Sequence, residues 1–162
     1  MNLIKILENI IIKLKDHDVK FTKSGLPIFK RNWLAQSLPS EIVPYNRKQY
    51  STKDCKTSIC FFSKDENLYP RFETLEEDIK VLKKYHSVCM MDISVSVYMN
   101  DRMQLFHLLL NLSYTAYLAI NGIKIIPSFR SGSEKTVSLL KECFPNAKIR
   151  ILGALCTQKA KK

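Results

Sequence analysis

A chain of 162 residues, 46% hydrophobic and 25% charged, can bury one core, and its composition excludes the disordered, collagenous and membrane-embedded classes. Lysine and arginine number 26 against 15 aspartate and glutamate, a net charge of +11 spread along the chain, so polyanions are the partners to consider. Cys55, Cys60, Cys89, Cys143 and Cys156 are odd in number and irregular in spacing, which excludes a disulfide framework.

Residues Asn2 to Lys15 read as an amphipathic helix. Leu3, Leu7, Ile10 and Leu14 form the apolar stripe, with Ile4, Ile6 and Ile11 widening it. Such a helix packs on a domain or lies on a membrane, and the first is expected here. Lys5, Glu8 and Lys13 interrupt the run, and no small-residue cleavage site follows, so no secretory signal is read and the protein is placed in the cytoplasm. Phe21 to Asp54 is broken by Gly25, Pro27, Pro39 and Pro44, and reads as an irregular basic segment packed through Trp33. Arg47, Lys48 and Lys53, interleaved with Tyr45 and Tyr50, suit contact with a nucleic-acid backbone and stacking on bases.

From Ser58 onward, strand-like segments alternate with helix-like ones. SICFF, SVCMMDIS, IKIIPSF and AKIRILGAL are the strands. Between them lie a helix from Leu75 to Tyr85 with Thr74 as N-cap, a long helix to Ile120 capped by Asn100 or Asp101 and stopped at Asn121-Gly122, and a helix ending near Phe144. The alternation predicts an α/β fold, a mainly parallel sheet with crossover helices in the order β-α-β-α-β-α-β. Residues 1–57 are then the N-terminal helix and basic arm, 58–157 the α/β domain and 158–162 a basic tail.

The pieces LPSEIVPYN, SICFF with its acidic loop, LKKYHSVCMMDIS, NGIKIIPSF and AKIRILGAL occur in an order that resembles domain-of-unknown-function family 4417. The resemblance covers about residues 38 to 156 and implies a phage, plasmid or other mobile-element context. The family's Asp-Phe-Ser element stands here as Asp92-Ile93-Ser94, its Asn-Arg pair as Asn111-Leu112, and its Trp after the Ile-Pro strand as Arg130. Longer members continue past the last strand, so this chain reads as a shortened member whose site, if the Arg and Trp serve one, is altered.

Sheets of this kind place ligands at the carboxyl ends of their strands. Asp92 closes an apolar strand there and is the candidate catalytic carboxylate, against the alternative of a structural residue capping its own loop. Arg130, Ser131, Ser133 and Lys135 open a helix and could hold a phosphate, against a capping box of Ser131 and Glu134. No metal site is assigned and no cofactor is called, although Asp65, Glu66 and Asp92 leave a divalent cation possible. His107 reads as a core histidine.

Two function classes follow. One is a noncatalytic accessory protein that binds DNA or RNA through Arg47, Lys48, Lys53, Arg130 and the tail residues Lys159, Lys161 and Lys162. The other is an enzyme acting on a phosphorylated or nucleotide-like ligand around Asp92. Docking on a host or phage protein is a third reading, and oligomeric state is left open.

Overall fold

Among the described residues, four short strands pair in chain order in one parallel sheet: β1 (Glu41–Pro44), β2 (Thr57–Cys60), β3 (Ser87–Cys89) and β4 (Ile125–Ile126). The computed structural model describes residues 2–51, 53–129, 132–144 and 149–150. The helices are α1 (Leu3–Asp16), α2 (Asp65–Leu68), α3 (Leu75–Leu82), α4 (Asp101–Ile120) and α5 (Glu134–Cys143). The α/β class read from the alternation is the architecture observed. The expected last strand, AKIRILGAL, lies outside the described residues apart from Ile149 and Arg150.

Several elements differ in extent. The β3 strand stops at Cys89 instead of running to Asp92, and β4 is reduced to two residues. Conversely, β1 forms inside the proline-punctuated stretch read as irregular. It is an edge strand with Pro44 at its last position, where a missing N–H is tolerated. Thr74 occupies the N-cap position of α3 but makes no side-chain capping bond, because its backbone is not in the extended geometry a cap requires. Asn100 does cap α4, its Oδ1 accepting from the Met103 amide at 2.9 Å. Gly122, at φ +90°, ends that helix in a conformation that favours glycine.

The N-terminal segment serves the core twice. Leu7, Ile10 and Leu14 of α1 are buried, and burying each contributes about 1.5–3 kcal/mol. Ile4 does not join them; it is 63% exposed on the outer side of the helix. Lys13 anchors α1, donating to Glu76 at 3.0 Å and to the Tyr117 hydroxyl at 2.6 Å, while Tyr117 donates to Glu76 at 2.7 Å. Further on, Phe29 stacks on Phe144 at 4.4 Å, and Trp33 meets Phe29 edge-on at 6.0 Å.

The chain then flanks the outer edge of β4, where Leu34 bridges Ile125 in parallel, and goes on past the amino ends of β3 and β2. Ala35 donates its amide to Ile125 O (2.9 Å), Ser37 Oγ bonds His86 Nε2 (2.9 Å), and Ser40 donates to Lys56 O (2.8 Å) before β1 begins. It thus covers the outer edge of β4 and then the amino ends of β3 and β2.

Candidate functional site

Beyond β3 the backbone leaves the sheet after Met90, whose amide still donates to Ile126 O at 3.0 Å, and side chains of α4 then take the place of strand neighbours. Thr115 Oγ1 accepts from the Met91 amide at 3.0 Å, and Asn111 pairs with both backbone groups of Ile93 at 2.8 Å. His107 Nδ1 lies 2.6 Å from Ser94 O; a carbonyl only accepts, so Nδ1 carries the proton. These three residues recur every four positions and form a polar stripe on a helix otherwise buried on nearly all sides. From the other side, Asp65 accepts from the amide and hydroxyl of Ser94, both at 3.0 Å.

Asp92 sits within this fixed segment and is 2% exposed. Burial raises the Cys60 and Cys89 thiols, and the nearby Asp92 charge raises them further, so both stay protonated and are poor nucleophiles. Glu66 faces solvent with Lys64 3.6 Å away, apart from the Asp65 contact with Ser94. Among the described residues, no group of three or more His, Cys, Asp or Glu side chains could hold a metal ion.

The start of α5 differs from the expected capping box. The helix begins at Glu134 with Ser133 as its N-cap, so Glu134 is the first helical residue and not the third. The Gly132 amide donates to Thr136 Oγ1 and the Ser133 amide to Gln104 Oε1, each at 3.0 Å. A Cβ on Gly132 would meet Gln104 Oε1 at 2.5 Å, so a larger residue there would displace the Gln104 amide. Lys135 pairs with Asp101 at 2.8 Å. Two amides and the lysine that a phosphate would need are thus already engaged. Arg130, Ser131, Lys159, Lys161 and Lys162 lie outside the described residues.

At the other end of the carboxyl edge, β1 runs directly into a 3-10 helix, Tyr45–Tyr50. Arg47 is exposed, Lys48 Nζ stands 4.0 Å from the Tyr45 ring centroid, and Tyr50 is 71% exposed. The crossover then returns to the amino end of β2 through exposed Lys53 and Lys56. Arg47, Lys48 and Lys53 therefore share one crossover, whereas Ser133 and Lys135 lie at the start of α5, which follows β4 in the chain.

A cavity of about 260 Å³ opens beside this crossover at the ends of β1 and β2, lined by Tyr45, Asn46, Phe62, Ser63, Asn67 and Arg71 among others. Beneath it lies a polar cluster that sequence reasoning missed. Asp78, 2% exposed, accepts through Oδ1 from the Tyr45 hydroxyl and from Arg71 Nη1 (3.1 Å), and through Oδ2 from the Tyr114 hydroxyl (2.7 Å). Arg71 Nη1 also donates to Tyr45 Oη at 2.8 Å. Burial, reinforced by the bond to Asp78, pushes the Tyr45 phenol up to about 12, and the Tyr114 phenol is raised by the same causes. The signal was present: Leu75, Asp78, Ile79 and Leu82 share one helical face, which puts an aspartate in the apolar stripe of α3.

A family model described as "Domain of unknown function (DUF4417)" matches residues 22–162. No curated protein and no solved structure matches the chain.

Proposed function

The chain belongs to the DUF4417 family, whose description assigns no activity, and from its own residues we propose that it binds nucleic acid through the crossover between β1 and β2. The observation that carries this is the exposed Tyr50 on the same crossover as Arg47, Lys48, Lys53 and Lys56. Cations that track a phosphate backbone, with an aromatic ring available for stacking, suit single-stranded nucleic acid. The net charge of +11 adds long-range attraction for a polyanion. A noncatalytic accessory role of this kind suits a mobile-element protein. The reading of Asp92 as a ligand-facing catalyst draws no support from a side chain 2% exposed.

The test is fluorescence-anisotropy titration of short labelled DNA and RNA with the full chain and with an Arg47→Glu/Lys53→Glu variant. Charge reversal on the crossover is expected to weaken binding at least tenfold at low salt. Equal affinity of the variant and the parent would remove the crossover as the interface.

A further inference from the structure

Resting on the nucleic-acid reading, we propose that the cavity at the carboxyl ends of β1 and β2 receives one unstacked nucleobase, which makes the protein a single-strand binder. Its volume, about 260 Å³, falls below the roughly 300–1,000 Å³ typical of drug-sized ligands and suits a single planar heterocycle. Tyr45 and Phe62 line it and are both half-buried; the Tyr45 ring is stacked on Phe61 at 5.5 Å, and Phe62 is the ring on which the base would stack.

The polar lining suits the edge of a base. Arg71 uses Nη1 for its bonds to Tyr45 and Asp78, and its guanidinium has further donors on Nη2 and Nε. Ser63 and Asn67 are bonded to each other at 3.2 Å, with the Asn67 carbonyl as an added acceptor. Asp78 holds the arginine and is itself fixed by Tyr114, so the guanidinium is oriented before any ligand arrives.

The cavity also adjoins the proposed backbone track. Asn46 and Tyr45 line it, Arg47 follows them in the chain, and Lys48 Nζ lies over the Tyr45 ring. A strand whose phosphates meet Arg47 and Lys48 has a base within reach of the opening. A base kept inside a duplex stack is not available to such a cavity without unpairing.

The probe is a short single-stranded oligonucleotide carrying one 2-aminopurine and an anisotropy label, titrated with the full chain and with Phe62→Ala and Asn67→Ala variants, alongside the matching duplex. Saturation should change the 2-aminopurine emission, and the duplex should bind more weakly. Phe62→Ala should lower single-strand affinity by about five-fold or more, the loss of roughly one stacking contact, with its salt slope unchanged. The exposed Asn67 keeps the test valid should Phe62→Ala impair folding, because Asn67→Ala should also blunt the emission change. Salt-dependent binding with unchanged emission, with both variants equal to the parent, or with no preference over duplex overturns base capture and leaves the crossover interface standing. Absence of any binding by the parent chain overturns both.

Discussion

Asn111 holds Ile93 by both backbone groups, its Oδ1 accepting from the amide and its Nδ2 donating to the carbonyl, each at 2.8 Å. One side chain thereby replaces the strand neighbour that the segment after β3 lacks. Thr115 and His107, one helical turn to either side, extend the same service to Met91 and Ser94. The loop that sets the carboxyl edge is thus fixed by a helix rather than by the sheet.

Asn111→Ala should therefore destabilise the fold. It strands a buried N–H and a buried C=O, each costing about 1–3 kcal/mol, so a loss of roughly 2–6 kcal/mol is expected. Urea denaturation measures it. A change within about 0.5 kcal/mol, the ordinary range of surface substitutions, would show that the pairing is not needed.

Asp78→Ala removes the shared acceptor of Tyr45, Arg71 and Tyr114 and leaves a partly buried guanidinium unpaired. Breaking such a pair from one side costs about 3–5 kcal/mol. Tyr114→Phe removes only one bond to the carboxylate and should cost about 1.5–3 kcal/mol. The order of the two losses in chemical denaturation is the check.

The same cluster sets an alkaline limit. The Tyr45 phenol is raised from its ordinary value of 10.0 to about 12 in the folded chain, so the native state favours the protonated form. Its contribution is fully present below the ordinary value and is lost as pH rises through the folded one, and Tyr114 acts in the same direction. Thermal denaturation should show the melting temperature falling across that window, and falling less in Tyr45→Phe. An identical pH dependence in the variant would contradict the assignment.

The attachment of α1 divides into a large apolar part and a small ionic one. Leu14, fully buried, should cost about 2–5 kcal/mol when changed to alanine. Glu76 is held below the ordinary carboxylate range by its bonds from Tyr117 and Lys13. Its contribution is therefore present above the ordinary value and lost as pH falls. With Lys13 and Glu76 51% and 60% exposed, Glu76→Gln should lower the melting temperature slightly, and less so at high salt. A loss matching Leu14→Ala would contradict this division.

The parallel α/β class was legible because SICFF, SVCM and IKII are apolar runs separated by helices with recognisable ends, such as Asn100 and Gly122. The β1 strand was not, because Glu41-Ile42-Val43-Pro44 carries its signal in pairing with β2, a tertiary contact that no local period announces. His107 was read correctly as a core residue, yet its spacing of four from Asn111 and Thr115 was the fuller message. Asp78 lies on the apolar stripe of α3, and that place makes it the centre of a buried cluster. Arg47, Lys48 and Lys53 were legible as a group because they are close in sequence. Ser133 and Lys135 depended on a helix start two residues later than expected.

The most direct test of nucleic-acid binding is the salt dependence of single-strand affinity, measured by anisotropy for the parent chain and for Arg47→Glu/Lys53→Glu. If Arg47, Lys48, Lys53 and Lys56 each neutralise one phosphate, log K should fall with log salt at a slope of about −3, and the double reversal should roughly halve that slope or more. A parent slope near zero, or an equal slope in the variant, would contradict the account.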